Sequence, residues 1–279
     1  MKNNLLLRTG LVFLLIFGIA LAHPKRMHAQ DNSANKLIIA GTGDSQELLR
    51  AVARAFEAHE VGSTVEVPDS IGTSGGMQAL IKGKCDLART ARPLNENENK
   101  PGITYHLFAK TPVVFVINPS VTGIDNVTSE QVNGIYSGAI IDWSQLGAEP
   151  GKIYAINREP GDSALAVLLQ KLMGFKEIEN PVGNIAYTTQ DAVNLVAKHK
   201  QTICFVPFAA VREADVTILK LDGVPPSDEN ISSGAYKLYI PLGIAHKEDV
   251  KARGKKIIAF LYSEEAKEIM KRFGAVPVL

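Results

Sequence analysis

The sequence predicts an α/β protein, and three observations support this fold class. Short apolar segments of strand length, such as residues 36–40 and 112–118, recur along the chain. Segments with the apolar spacing of amphipathic helices, such as residues 47–59, lie between them. Glycine-rich turns connect several strands to the helix that follows. Alternation of this kind is typical of parallel sheets covered by helices.

The individual elements follow from apolar periodicity and from turn residues. The helix at residues 47–59 is the clearest, because Leu48, Leu49, Val52 and Phe56 fall on one face. A stretch rich in Pro, Gly, Ser and acidic residues, 222–234, is expected to be a loop. Predicted strands occupy residues 36–40, 64–67, 86–90, 112–118, 153–157, 203–206 and 236–244. Predicted helices occupy residues 47–59, 77–82, 129–136, 164–173 and 191–199, and two more close the chain, the last between an N-cap at Ser263 and a C-terminal Gly274.

The N-terminus has the pattern of a secretory signal peptide. Basic Lys2 and Arg8 precede an unbroken apolar and small-residue run of 12 residues, 11–22. Small-residue cleavage patterns end at Ala22 and at Ala29. We therefore predict a signal peptide within residues 1–29, cleaved after residue 22 or 29. No Cys follows the apolar run, so we expect a protein without a lipid anchor, free in a periplasm or secreted.

The charge balance excludes a general electrostatic attraction for nucleic acid. The chain has 30 basic and 29 acidic residues, and cleavage after residue 22 removes two basic ones, which leaves a net charge of about −1. Any anion must then be held by local geometry. The two cysteines, Cys85 and Cys204, lie far apart in sequence, and we interpret them as buried free thiols.

Three glycine-and-hydroxyl turns, each between a strand and a helix, are the candidate binding elements. They are Gly-Thr-Gly-Asp-Ser at 41–45, Gly-Thr-Ser-Gly-Gly at 72–76 and Arg-Glu-Pro-Gly-Asp-Ser at 158–163. Backbone N–H groups at a helix N-terminus attract anions, glycine allows close approach, and an Arg adds a planar donor fork. Any single turn of this type is more often an ordinary helix cap. The candidate ligand-binding residues are Thr42, Ser45, Thr73, Ser74, Arg158, Gly161, Asp162 and Ser163.

The sequence lacks the motifs of several other kinds of site. None of the three turns has the Gly-Lys-Ser/Thr of a Walker loop, and the first lacks the last glycine of the dinucleotide pattern. The six histidines show no metal-ligand spacing, and no Gly-x-Ser-x-Gly elbow is present. We therefore expect no catalytic residues, no cofactor and no metal.

In this order, the turns and the segments around them resemble the periplasmic phosphate-binding protein family, the solute receptors of phosphate ABC importers. The resemblance covers residues 37–278. It rests on Ala-Gly-Thr-Gly-Asp-Ser at 40–45, Ile-Gly-Thr-Ser-Gly-Gly-Met at 71–77, Asp-Leu-Ala-Arg-Thr-Ala-Arg-Pro-Leu at 86–94, Tyr-Ser-Gly at 136–138, Ile-Asp-Trp at 141–143, Asn-Arg-Glu-Pro-Gly-Asp-Ser at 157–163, Leu-Asp-Gly-Val-Pro-Pro at 221–226 and Asn-Ile-Ser-Ser-Gly-Ala-Tyr at 230–236.

The resemblance implies a two-lobed type II periplasmic-binding-protein fold with a ligand cleft between the lobes. Lobe one would comprise residues 36–113 plus 237–279, and lobe two residues 114–236, with residues 112–118 as one crossover. The implied ligand is phosphate or a similar oxyanion, and an inner-membrane ABC permease is the implied partner of a monomeric receptor. The family's phosphate contacts fall on Ser45, Thr73, Arg158 and Gly161.

Three positions depart from the family pattern. Ala91 stands where some members carry an Asp that accepts the phosphate proton. The family's Ser-Gly-Thr is replaced by residues 162–164, which include Asp162, and Asp44 adds a carboxylate to the first loop. Either aspartate could replace the missing acceptor, or both could be simple helix caps. Arg89 and Arg92 could offset the added negative charge at the cleft, or they could be structural or solvated.

Three functions remain open from sequence. The first is a phosphate receptor for an ABC importer. The second is a secreted oxyanion sensor or scavenger without an importer and with an altered ligand preference. The third, an enzyme on the same cleft, lacks a visible nucleophile–base pair.

Overall fold

The computed structural model describes residues 36–278, and the predicted signal peptide lies outside the described residues. The strands are β1 (Lys36–Gly41), β2 (Thr64–Glu66), β3 (Leu87–Thr90), β4 (Ile103–Ile117), β5 (Asn126–Val127), β6 (Tyr154–Arg158), β7 (Asn184–Ala186), β8 (Thr202–Pro207), β9 (Thr217–Ile218), β10 (Lys220–Leu221), β11 (Tyr239–Lys247) and β12 (Val276–Pro277). The α-helices are α1 (Gln46–His59), α2 (Gly72–Ile81), α3 (Ser129–Ser137), α4 (Ser163–Lys171), α5 (Thr189–Lys198), α6 (Asp228–Ser233), α7 (Ala252–Phe260) and α8 (Glu264–Arg272).

One large sheet organises these elements, with the strand order β2-β1-β3-β11-β4-β8-β6-β7. The strands β2, β1 and β3 are parallel to one another, and so are β8, β6 and β7. The long strands β11 and β4 run antiparallel between the two parallel groups. We call β1–β3 with α1 and α2 the first lobe, and β6–β8 with α4 and α5 the second lobe.

Strand β4 connects the two lobes because it changes its pairing partner along its length. Residues from Ile103 to Pro112 pair with β11, and residues from Val113 to Ile117 pair with β8. The change coincides with the predicted crossover. The exact lobe boundaries, 36–113 plus 237–279 and 114–236, stay a prediction.

The core explains why the sequence has continuous apolar runs at two strands. Val113–Ile117 in β4 and Ile203–Val206 in β8 are fully buried, as expected of central strands covered on both faces. Cys85 and Cys204 are buried free thiols, as the sequence predicts. Burial raises the pKa of Cys85 to about 11 and that of Cys204 to about 12, so both stay protonated and unreactive. Across residues 36–278, no helix is both long and apolar enough to cross a bilayer.

The structure corrects three sequence-based boundaries. The glycine-rich segment at 72–76 is the first part of α2 and not a turn before it. Strand β4 begins at Ile103, well before the apolar run at 112–118. The expected loop at 222–234 contains the short helix α6, capped by the Ser227 side chain and ended by Gly234 in a left-handed conformation. Six helical residues are too few to give a clear periodic signal.

Close packing explains why α2 contains a glycine at position 76, although glycine disfavours helices. A Cβ built on Gly76 would lie 2.6 Å from the Gly41 Cα and 2.9 Å from the Ala40 carbonyl oxygen. These contacts are with backbone atoms of β1, which cannot rotate away. Gly76 therefore allows α2 to pack directly on the end of β1, where the binding loops begin.

We predict that Gly76→Ala destabilises the protein by about 1–3 kcal/mol, because the methyl group overpacks α2 against β1. Gly75→Ala is the matched control on the same helix. Its Cβ would meet only the Ile71 side chain, at 3.1 Å, and alanine favours the helix by up to about 1 kcal/mol. Urea denaturation would measure both free energies of unfolding. Equal effects of the two substitutions would contradict the packing argument.

Candidate ligand-binding site

The site lies at the carboxyl ends of the parallel strands of both lobes, where crevices in α/β sheets usually bind ligands. A cavity of about 580 Å³, the main cavity, opens between α2 of the first lobe and α4 of the second lobe. A second cavity of about 680 Å³ adjoins it. Thr42, Gly72, Gly161 and Ser163 line both cavities and mark the junction between them.

A buried arginine, Arg89, holds the first binding loop in place. Its guanidinium and Nε groups donate to three backbone carbonyls, including that of Thr42 at 2.6 Å and that of Pro68 at 2.7 Å, and to the Gln46 side chain at 3.2 Å. The side chain is 0% exposed. Desolvation is the largest influence on its pKa and lowers it to about 10, so Arg89 stays charged at neutral pH. Arg89 is therefore structural, as one of the two alternatives from sequence proposed.

A carboxylate from the first lobe bonds directly to the second lobe. Asp44 Oδ2 accepts hydrogen bonds from the hydroxyls of Thr42, at 2.7 Å, and Ser163, at 2.8 Å. Asp44 and Ser163 are 119 residues apart in sequence, and they join the loop after β1 to the start of α4. Asp44 is not the N-cap of α1, because that position belongs to Ser45. Its carboxylate lies between these two hydroxyls and lines the second cavity.

The start of α2 presents donors to the main cavity. Its N-cap position, Ile71, makes no side-chain cap bond, so the helix keeps free N–H groups at its positive end. The Thr73 hydroxyl accepts from the Ala91 N–H at 3.0 Å, and its own proton remains available to donate. The Ser74 hydroxyl accepts from Arg92 at 3.1 Å. These residues line the main cavity, as does Ala91 itself.

Arg92, the second arginine of this segment, is neutralised by a neighbour. Its guanidinium forms a two-pronged ion pair with Glu98, with Nη1–Oε2 at 2.6 Å and Nη2–Oε1 at 2.9 Å. This pairing raises the pKa of Arg92 and lowers that of Glu98. Arg92 thus lines the cavity without adding a net charge to it.

Arg158 directs its donors at Asp162 in its own loop and at Thr189 at the start of α5. Its Nη2 lies 2.7 Å from Asp162 Oδ2, its Nη1 donates to the Thr189 hydroxyl at 3.2 Å, and its Nε has no partner. Asp162 also caps α4 by accepting from the Leu165 N–H at 2.9 Å. Burial raises the pKa of the Asp162 carboxyl, even though this N–H and Arg158 oppose the shift. Of the two aspartates, Asp162 is therefore the helix cap.

The predicted residues divide into two groups by their position. Those that line one or both cavities are Thr42, Thr73, Ser74, Gly161, Asp162 and Ser163. Ser45 and Arg158 are buried beneath the cleft and line neither cavity, and each keeps an unpartnered polar atom, Ser45 Oγ and Arg158 Nε. Gly161 has a φ of +98°, which glycine adopts without strain, and this turns the chain into α4.

Sequence reasoning missed Thr111 as a candidate. This residue lies on β4 beside the crossover, is 2% exposed and lines the second cavity, and its hydroxyl has no partner. Its only sequence signal is a Thr-Pro step before an apolar run, which does not point to a binding role. Within residues 36–278, no three His, Cys, Asp or Glu side chains gather where they could hold a metal ion.

Comparison with known proteins identifies the family. A model described as a PBP superfamily domain matches residues 28–265, most of the chain. The chain belongs to the PBP superfamily. Solved structures with this fold include a putative phosphate ABC transporter substrate-binding protein with bound phosphate from Clostridium perfringens. It has a TM-score of 0.78 and 24% identity over 88% of this chain and 100% of that chain.

Other known proteins are also similar over most of the chain. An ABC-type phosphate transport receptor from Vibrio cholerae has a TM-score of 0.69 and 27% identity over 86% of this chain and 99% of that chain. The phosphate-binding protein PstS of Bacillus subtilis is 22% identical over 89% of this chain and 83% of that protein. PstS of Borreliella burgdorferi is 23% identical over 94% of this chain and 97% of that protein. The predicted two-lobed α/β fold is confirmed.

We predict that Arg89→Lys destabilises this PBP superfamily protein by about 3 kcal/mol. An ammonium cannot reach all four acceptors of Arg89, and each buried carbonyl left without a donor costs about 1–3 kcal/mol. Arg92→Lys is the matched control, because its more exposed ion pair contributes less than about 1 kcal/mol. Chemical denaturation would compare the two. A loss at Arg89 no larger than the loss at Arg92 would argue against the structural role.

Proposed function

We propose that this protein is an extracytoplasmic solute-binding protein, not an enzyme, that captures phosphate or a closely related oxyanion and delivers it to an ABC permease. One observation carries the proposal. In a PBP superfamily fold, the starts of α2 and α4 and the hydroxyls of Thr42, Thr73 and Ser163 converge on one cleft between the lobes. Hydroxyls and free N–H groups at helix starts are the usual ligands of a tetrahedral anion.

The relatives favour transport over the alternative of a sensor or scavenger. Two of them are named phosphate-binding protein PstS, and a structural neighbour is described as an ABC-type phosphate transport receptor. A permease of an ABC importer is therefore the proposed partner. We propose that the protein is secreted through its signal peptide, which is then cleaved, and that it acts in the periplasm or the medium.

We assign the phosphoryl-binding role first to Thr42, Thr73 and Ser163. Ser74 and Gly161 add a hydroxyl and a flexible turn at the cavity wall. Ser45 Oγ and Arg158 Nε are proposed as further donors. Each is a buried polar atom without a partner in a segment that borders the cleft, and such groups in folded proteins call for a ligand or water. Asp162 holds Arg158 and caps α4 without contacting the ligand.

Asp44 is the proposed proton acceptor, in place of the Asp that some family members carry at the position of Ala91. Its carboxylate lies between two candidate donor hydroxyls and does not cap a helix. A protonated phosphate could donate to this carboxylate. Sulfate has no proton to donate at neutral pH, and each unit of its charge would be repelled by about 4 kcal/mol at 4 Å under an effective dielectric of about 20.

The direct test of the function is isothermal calorimetry of the mature protein with phosphate, arsenate, sulfate, molybdate and tungstate. Phosphate is expected to bind, and at 100 times its Kd to raise the free energy of unfolding by about 2.7 kcal/mol. Sulfate is expected to give no heat at the same concentration. Binding of sulfate in preference to phosphate, or of none of the five ions, would refute the proposal.

We predict that Asp44→Asn lowers the preference for phosphate over sulfate at least tenfold, because the amide is uncharged, so it no longer repels the unprotonated sulfate and it accepts the phosphate proton less strongly. Glu47→Gln is the matched control. Glu47 lines the second cavity three residues further along and pairs with Arg50, so the same charge change there leaves the preference within twofold. Calorimetric titrations of both ions at pH 7 give the ratio. An unchanged preference in Asp44→Asn would show that Asp44 does not contact the ligand.

A further inference from the structure

The main cavity is much larger than a tetrahedral oxyanion needs. Its volume of about 580 Å³ falls in the range of roughly 300–1,000 Å³ that is usual for sites of larger organic ligands. Helix α4 contacts neighbouring elements at both of its ends, beside this cavity. The Ser163 hydroxyl at the start of α4 bonds to Asp44 across the cleft. Lys171 at the other end of α4 contacts the Tyr239 ring of β11, at 3.6 Å from its centroid.

One face of α4 lines this cavity from end to end. Ser163, Ala166, Val167, Gln170 and Lys171 all border it, at the spacing of residues that share a helix face. At a rise of about 1.5 Å per residue, this face extends about 12 Å from the Ser163 hydroxyl to Lys171. The proposed phosphoryl site occupies only the Ser163 end.

The middle of the cavity is apolar. Between Ser163 and Lys171, α4 contributes Ala166 and Val167 to the lining, and Leu107 of β4, Pro241 of β11 and Pro93 add further apolar surface. A carbon skeleton fits such walls better than a hydrated ion does, because it removes apolar surface from water.

The far end of the cavity has uncompensated positive charge. The ammonium groups of Lys171 and Lys110 lie 3.6 Å and 4.7 Å from the centroid of the same Tyr239 ring. Neither lysine has an acidic partner within ion-pair distance among the described residues. Lys171 lines the cavity and Lys110 does not, so the Lys171 ammonium is the charge with which an anionic group in the cavity could pair. Arg92 cannot supply this function, since Glu98 neutralises it.

We propose that the main cavity binds a phosphate ester whose carbon chain ends in a second anionic group. The phosphoryl group lies at Thr42, Thr73 and Ser163, the carbon chain lies along Ala166 and Val167, and the second anionic group pairs with Lys171. This inference rests on the proposed phosphoryl site and extends its ligand class from the inorganic ion to a phosphorylated acid.

Calorimetric titrations of the mature protein with three probes measure how much each end of the ligand contributes to affinity. Inorganic phosphate tests the phosphoryl end alone. Sorbitol 6-phosphate adds an uncharged six-carbon chain, and 6-phosphogluconate has the same chain ending in a carboxylate. We expect 6-phosphogluconate to bind at least tenfold more tightly than sorbitol 6-phosphate.

Variants of Lys171 test the second anionic group directly. In Lys171→Gln the preference for 6-phosphogluconate is expected to fall below about threefold, whereas the affinity for inorganic phosphate changes less than twofold. Lys171→Arg should keep the preference. Lys176→Gln removes the same charge just beyond α4, from a residue that does not line the cavity, and should also keep it. Because Lys171 is exposed, these substitutions leave the fold intact, and circular dichroism checks this.

The outcomes distinguish this inference from the proposed function. If phosphate binds but the two esters bind equally or not at all, the second anionic site is refuted and the phosphate receptor stands. A preference that persists in Lys171→Gln also refutes it. If 6-phosphogluconate binds through Lys171 and inorganic phosphate does not bind, the inference holds and the phosphate function fails. If no probe binds, both are wrong.

Discussion

The first lobe's part of the site depends on the buried guanidinium of Arg89. This one group bonds to the end of β1, to the loop that carries Thr42, to the start of α1 and to the segment before α2. A side chain of β3 with no exposed surface thus fixes two pieces of chain relative to each other, residues 39–46 and the segment at Pro68. Its hydrogen-bond partners are carbonyls and one amide, so no bonded carboxylate cancels its charge. Arg89 therefore both positions the binding loop and adds positive potential beneath it.

That positioning places the Asp44 carboxylate where it can reach the second lobe. Thr42 orients Asp44 through a hydroxyl bond, and Asp44 accepts a second bond from Ser163. A ligand that uses the same hydroxyls must compete with this carboxylate or donate a proton to it. In the proposed function, the Asp44 carboxylate that bonds to the second lobe therefore also selects for a protonated ligand.

The sequence predicted local features of the fold and site better than long-range ones. The last helix between Ser263 and Gly274 and the buried thiols follow from nearby residues, and both are present. Capping by Asp162 was one of two alternatives that the sequence left open, and the structure shows the cap. The start of α2 was not predictable from propensity, because glycines disfavour a helix and the close packing of Gly76 against β1 is a long-range contact. Nothing local distinguishes Arg89, which is buried, from Arg92, which pairs with Glu98.

The bond between Asp44 and Ser163 illustrates the same limit, since its partners are 119 residues apart and meet only when the lobes assemble. The assembled cleft also explains how a nearly neutral chain can be selective for an anion. Asp162 balances the charge of Arg158 and Glu98 that of Arg92, so the proposed contacts to a ligand are hydroxyls, helix starts, the Arg158 Nε group and Lys171. Hydroxyls and helix starts hold an anion through short, directed hydrogen bonds. The dipole effect of a helix start is also local, because it falls off within one turn of helix. Selectivity then depends on where the ligand's oxygens and proton lie, and only weakly on its total charge.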